Sequence, residues 1–363
     1  MMNLVACFPG KYIQGSGAIL QLERLINQFG NKAVILASPT AQQYLPEALL
    51  HPPQKSRVAI ETFHGECCEE ALESLTARLR REQATVVIGM GGGKAIDTAK
   101  IAADRSALPV IIVPTIASTD APCSGCAVLY SHDGVFEKVL YQRMNPSVVL
   151  VDMDIIAQAP VRFLVAGMGD ALATWFEARS CRETSSVNEC GGLSTMAGMN
   201  LARLCYDLLL EKGGQAKLDN EAQVVTDALS QIAEANILLS GIGFESGGLA
   251  SAHAIHNGLT ILPETHAFYH GEKVTFGLLS GLFLNGSPQE EILEVYRFCQ
   301  SIGLPITLSA IGITDHSRNY LMPAARKSVE EGSSIHHENR VITADKVYES
   351  MLQADGFGRQ ITA

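Results

Sequence analysis

Hydrophobic positions in the first ~160 residues come as short unbroken runs, whereas further along they recur at a spacing near 3.6. The runs are Val34-Ile35-Leu36-Ala37, Val58-Ala59-Ile60, Val86-Val87-Ile88, Val110-Ile111-Ile112-Val113 and Val148-Val149-Leu150-Val151. A strand with apolar side chains on both sides is buried on both faces, so these runs predict a parallel sheet. Between them, Glu69 to Glu82 and Lys94 to Asp104 each carry one apolar stripe and predict helices, completing βαβ units. Ala127 to Tyr130 and Phe136 to Tyr141 flank Ser131-His132-Asp133-Gly134 and predict a hairpin on an Asp-Gly turn.

From Val161 onward the pattern predicts helices at about 162–183, 193–212, 219–240, 247–262, 288–302 and 343–356. Pro160, Gly213-Gly214, Pro263, Pro288 and Pro305 punctuate them. The expected architecture is an α/β nucleotide-binding domain over 1–160 followed by an all-α domain over 161–363, with the site in the cleft between them.

Composition narrows the function. Of 363 residues 47% are hydrophobic and 18% charged, which is too apolar for a disordered chain. The net charge of −11 at pH 7 comes without a basic cluster, so nothing offers the positive footprint that nucleic acid requires. No apolar run approaches the ~20 residues that span a bilayer, and the first residues lack a basic, then apolar, export signal. Nine scattered cysteines fit reduced thiols, and a cytoplasmic protein with no membrane or nucleic-acid partner is expected. Cys123 and Cys126 form a lone CxxC, more plausibly packing thiols than a zinc or redox pair because no second pair accompanies them.

Gly89-Met90-Gly91-Gly92-Gly93-Lys94 follows a predicted strand and opens a predicted helix. Glycines there let backbone N–H groups approach a pyrophosphate, whose charge the helix N-terminus favours. The motif is neither a Walker A loop, since Ala95 follows Lys94, nor a standard Rossmann fingerprint, since Lys94 replaces the last glycine. Thr115, Ser118 and Ser124 follow the next strand, at the carboxyl end where open α/β sheets bind ligands. In the helical half, Asp170 precedes an apolar stretch, a place usually held by an N-cap. His253 and His256 lie three apart on one helical face, and His270 begins another helix. Any one of these could be a satisfied core residue; one carboxylate with two imidazoles, however, leaves zinc or ferrous iron an open position for Lewis-acid catalysis.

The chain resembles the glycerol dehydrogenases of the metal-dependent (group III, iron-type) alcohol dehydrogenase family. The resemblance is carried by Pro9-Gly10-Lys11-Tyr12-Ile13-Gln14-Gly15, Gly91-Gly92-Gly93-Lys94, the run from Val113 to Ser124, the run from Gly169 to Arg179, Gly243 to Leu249, Ala252 to Thr260 and His270-Gly271-Glu272-Lys273-Val274. It implies NAD- and zinc-dependent oxidation of glycerol to dihydroxyacetone and the reverse. Asp170, His253 and His270 are the implied metal ligands, and Asp120 the contact to substrate hydroxyls. The implied cofactor residues are Ser38, Gly91, Gly92, Gly93, Lys94, Asp97, Thr115, Ser118, Ser124, Cys126 and Tyr130. Thr174 stands where the iron-type enzymes carry a fourth ligand, which favours the three-ligand polyol version. Ser38 stands where the family has an Asp that accepts from the adenosine ribose, so NAD is expected with NADP still admitted. A homo-oligomer, an octamer by resemblance, is implied as well. Three alternatives stay open: the same chemistry on 1,2-propanediol or a 2-hydroxycarboxylate, a dehydroquinate synthase-like lyase, and a noncatalytic metal- or nucleotide-binding protein. His256 fits a proton relay or a structural role equally.

Overall fold

The predicted apolar runs all fall in one sheet; four are buried, while Val58-Ala59-Ile60 lies on an edge strand and is half-buried. The computed structural model describes residues 2–50 and 57–362. Among them the strands are β1 (Tyr12–Gly15), β2 (Lys32–Ala37), β3 (Arg57–Thr62), β4 (Val86–Gly91), β5 (Val110–Pro114), β6 (Cys126–Tyr130), β7 (Phe136–Tyr141) and β8 (Val148–Asp152). Six make a parallel sheet in the order β1-β8-β5-β4-β2-β3, and β6-β7 is the antiparallel hairpin. The chain leaves β2 towards β3 on one side and leaves β4 towards β5 on the other. The loops after β2 and β4 therefore diverge at the sheet's carboxyl edge, the crevice in which such sheets bind nucleotides. Helices α1 (Glu69–Glu82) and α2 (Gly93–Arg105) match their predicted spans to within a residue. β1 was not anticipated, because Tyr12-Ile13-Gln14-Gly15 is too short and too polar to read as a buried strand.

The chain folds as two compact units. One comprises Cys7–Val161 and Asp219–Gly241; the other Met1–Ala6, Arg162–Leu218 and Ile242–Ala363. The sequence placed a single boundary at 160/161, yet the helical segment Asp219–Gly241 packs on the α/β unit. Side chains fasten it there. Asn220 donates to the carbonyls of Ile156 and Ala157, Gln14 donates to Ser230 O at 2.9 Å, and Asn236 donates to Ala117 O at 2.9 Å.

The helical unit contains α3 (Val161–Thr184), most of α4 (Met196–Glu221), α5 (Ser251–Leu259) and α6 (His270–Asn285). The glycine pair 213–214, expected to end a helix, lies inside α4. A Cβ on Gly213 would sit 2.8 Å from the Phe298 ring, so that glycine serves close packing and not a break. The predicted helix 219–240 is also interrupted: Asp227–Glu234 is followed by a π turn, Ala235–Leu239, before Ser240–Gly247. Helix Arg318–Ser328 was not anticipated.

Three helices of this unit touch backbone to backbone. A Cβ on Gly271 of α6 would fall 1.8 Å from Ala166 O of α3, and one on Gly277 would fall 2.2 Å from Ala252 O of α5. Substitution by alanine should therefore have opposite signs at two helical glycines. Gly271→Ala is expected to lower the thermal midpoint through overpacking worth about 1–3 kcal/mol. Gly214→Ala, with nothing within 4 Å of its Cβ, is expected to hold or raise the midpoint by removing a helix-interior glycine. Thermal unfolding of the two variants checks both signs.

Candidate active site

The close contact at Gly271 brings the start of α6 against the middle of α3, and the residues on either side of the contact are His270 and Asp170. Asp170 is ten residues into a 24-residue helix, so it caps nothing; it is 1% exposed. Gly277 similarly seats α6 on α5, which carries His253. His270 Nε2 lies 3.2 Å and His253 Nε2 3.5 Å from Asp170 Oδ1, and one donor atom from each residue falls within 4.8 Å of the others. Neither Asp170 oxygen receives a hydrogen bond. A buried carboxylate is strongly destabilising unless compensated, and the two imidazole nitrogens beside it make this an N,N,O donor set that a divalent cation fits. Thr174, one turn along α3, packs its methyl against Gly243.

Each histidine is held from behind. His253 Nδ1 is 2.6 Å from Glu177 Oε2, and Glu177 is 2% exposed. The bond to Glu177 fixes the ring so that Nε2 faces Asp170, the orientation that outer carboxylates impose on metal-binding histidines. The other oxygen of Glu177 accepts the backbone N–H groups of Ala250 and His253, while Glu338 accepts that of Ser251. Two buried glutamates thus cap α5 from outside the helix, where Ala250 has no side chain able to do so. His270 Nδ1 meets His256 Nε2 at 3.1 Å, and His256 Nδ1 meets Asn257 Oδ1 at 3.0 Å. With Asn257 accepting, His256 carries its proton on Nδ1 and accepts from His270, whose Nε2 is then left bare towards Asp170.

Charge follows the same layout. Burial alone would raise the Asp170 carboxyl, but His270 and His253 outweigh it and hold it far below the ordinary range. Burial would likewise depress His253, yet Glu177 and Asp170 drive it well above its usual value. His256 is pushed well down by burial, then by His270, Lys273 and His253, and is neutral. Glu177 was missed as a site residue. Its signal was its position seven residues after Asp170, two turns along the same helical face.

In the α/β unit, Gly91 has φ +147°, a conformation that favours glycine, and Ser38 Oγ lies 3.2 Å from where its Cβ would be. Gly92 precedes α2 with no side-chain cap and no acidic residue in the first turn, and Thr115 N–H donates to Gly91 O at 3.1 Å. These residues, with Gly93, form a backbone cradle that suits a pyrophosphate. Lys94 pairs with Glu66 at 2.6 Å and sits 5.2 Å from the Tyr130 ring centroid. Ser124 and Cys126 adjoin one another at 3.5 Å, and Ser118 is buried. Asp97 is placed differently from the other expected cofactor residues: its buried carboxylate faces Lys100 Nζ at 3.1 Å and accepts Val128 N–H at 3.0 Å. Lys100 in turn donates to the carbonyls of Ala121 and Cys126, so the pair braces the loop before the hairpin. Asp120 Oδ2 accepts from Ser240 Oγ at 2.7 Å.

No helix among the described residues is long and apolar enough to cross a membrane. Residues 9–153 match the model of the iron-containing alcohol dehydrogenase family. The chain is 50% identical to the glycerol dehydrogenase of Thermotoga maritima over 99% of this chain and 98% of that protein. It is 46% identical to the glycerol dehydrogenase of Citrobacter freundii over 97% of each. A probable glycerol dehydrogenase from Sinorhizobium meliloti superposes with a TM-score of 0.94 at 41% identity, covering 99% of this chain and all of that one.

Because the histidines are oriented by their outer partners, Glu177→Gln and His256→Leu should each weaken binding of a divalent cation about 10–100-fold. Competition against a chromophoric chelator measures this directly, and unchanged affinity in both would show the outer contacts to be idle.

Proposed function

The chain belongs to the iron-containing alcohol dehydrogenase family, and we propose that it oxidises glycerol with NAD, giving dihydroxyacetone, NADH and a proton, with zinc held by Asp170, His253 and His270. The observation that carries this reading is the buried Asp170 carboxylate, without a hydrogen bond and flanked by two imidazoles whose outer nitrogens are already engaged. When bound, the cation supplies Lewis acidity to a carbinol hydroxyl and the nicotinamide supplies the hydride acceptor. Thr174 in place of a fourth donor supports zinc over iron. A cytoplasmic homo-octamer accompanies the reading by resemblance.

The chain's own residues bind and orient. Asp170, His253 and His270 present donors fixed by Glu177 and His256, so little rearrangement is needed on loading. The burial of Asp170 keeps its carboxylate away from water, which strengthens its charge interactions, while His270 is partly open to solvent. Asp120 accepts hydrogen bonds from substrate hydroxyls, favouring a polyol over a simple alcohol. The Gly91-Gly92-Gly93 turn and the α2 N-terminus hold the cofactor pyrophosphate. Lys94, Thr115, Ser118, Ser124, Cys126 and Tyr130 line the rest of its course. Ser38, at the diverging end of β2, stands beside the adenosine ribose. Being neutral, it neither attracts a 2′-hydroxyl as a carboxylate does nor repels a 2′-phosphate.

Chelation should abolish glycerol-dependent NAD reduction and added Zn2+ should restore it, while Asp170→Asn should stay inactive at any zinc concentration. Full activity of metal-free Asp170→Asn protein would defeat the reading. A separate comparison concerns cofactor choice. Ser38→Asp should raise the NAD-to-NADP ratio of kcat/KM by at least about ten-fold, through a gained ribose bond and added phosphate repulsion. Equal ratios in the two proteins would remove Ser38 from that role.

A further inference from the structure

Helix Asp227–Glu234 does not run on regularly. It passes through the π turn Ala235–Leu239 before resuming at Ser240, and such turns insert one residue and redirect the side chains that follow. Two completely buried polar side chains, Asn236 within the π turn and Ser240 just after it, both reach the same loop after β5. Asn236 donates to Ala117 O at 2.9 Å, a bond to backbone. Ser240 donates to Asp120 Oδ2 at 2.7 Å, a bond to the side chain itself. The next residue, Gly241, lets the helix backbone abut the loop: a Cβ there would fall 2.9 Å from Cys123 Cβ and 3.0 Å from Asp120 O. A serine inside a helix ordinarily turns its hydroxyl to solvent or to the carbonyl one turn back. Here the hydroxyl is spent on a carboxylate far away in sequence.

We propose that Ser240 is a positioning residue that aims the Asp120 carboxylate and thereby sets selectivity for substrates bearing neighbouring hydroxyls. The inference rests on the reading of Asp120 as the contact to substrate hydroxyls. The bond removes two rotational freedoms from Asp120 and occupies one of its oxygens, so the direction in which the carboxylate accepts from substrate is set by the helix. Asn236 holds the loop and Ser240 aims one side chain of it; losing the second contact should leave the fold intact and change only what is recognised.

The test is steady-state kinetics on the full-length, zinc-loaded protein with Ser240→Ala, Asp120→Asn and the double variant. Ser240→Ala should raise KM for glycerol about ten-fold with kcat within about two-fold, the size expected for one lost hydrogen bond to a charged group. KM for 2-propanol, which has no second hydroxyl, should not move. NAD affinity, followed by quenching of Trp175 fluorescence, should also be unchanged. The double variant should be no worse than Asp120→Asn alone, since the two residues act as one unit. Hydrogen exchange at the amides of 116–122 gives a readout independent of turnover and should be unchanged in Ser240→Ala, because Asn236 still holds the loop; quickened exchange there would make Ser240 a structural tie and overturn the inference. A raised glycerol KM in Asp120→Asn but not in Ser240→Ala would overturn this inference and leave the role of Asp120 standing. Wild-type KM in both would overturn the two readings together. A uniform fall in kcat for both alcohols with a lowered thermal midpoint would reduce Ser240 to a packing residue and equally overturn it.

Discussion

The helical unit depends on one steric constraint, the contact of three helix backbones at positions that admit no side chain. Gly271 against Ala166 and Gly277 against Ala252 let α6 meet the backbones of α3 and α5 with no room for a Cβ. That closeness puts the Asp170 carboxylate between two imidazoles. It also seals the carboxylate from water, which makes an unneutralised charge there expensive. Packing and chemistry therefore share a cause. The apolar faces bury themselves, and the charged residue at their junction is left in need of a cation.

The α/β unit works by a different principle. Its cradle is backbone geometry set by topology, with β2 and β4 sending their loops apart and Gly91 turning where a side chain would crowd Ala95 and Ser38. Its side chains mostly brace that geometry. Asp97 and Lys100 hold the loop before the hairpin, and Lys94 waits on Glu66. The segment Asp219–Gly241, helical and distant in sequence, buries Leu229, Ile232, Ile237 and Leu239 and is tied to this unit by amide and hydroxyl side chains as well.

That distinction explains what could be read from the chain beforehand. Buried parallel strands and amphipathic helices leave periodic signals, so the sheet, the hairpin and most helices were foreseeable. Tyr12–Gly15 was not, since four residues with a glutamine and a terminal glycine carry no period. Gly213 misled because a glycine that makes room for a ring looks the same in sequence as one that ends a helix. The helix Arg318–Ser328 was not anticipated, and it carries Pro323 within it. Asp170, His253 and His270 stood out as charged or basic groups in apolar surroundings, and the structure brings them together. Glu177, Ser240 and Asn236 did not stand out, because the groups they touch lie across long stretches of chain. Asp97 showed the converse: its place on the cradle helix pointed to the ligand, while its carboxylate serves the scaffold.

Glu177 carries two duties on one carboxylate. One oxygen orients His253 and the other closes the open amides at the beginning of the helix that bears it. Drift at this position is consequently punished twice, once as a misdirected ring and once as a frayed helix. A neutral replacement that satisfied the amides would still forfeit the ring, and one that steered the ring would still leave the amides to be met. Few side chains answer both demands, so the geometry at His253 and the start of its helix stand or fall together.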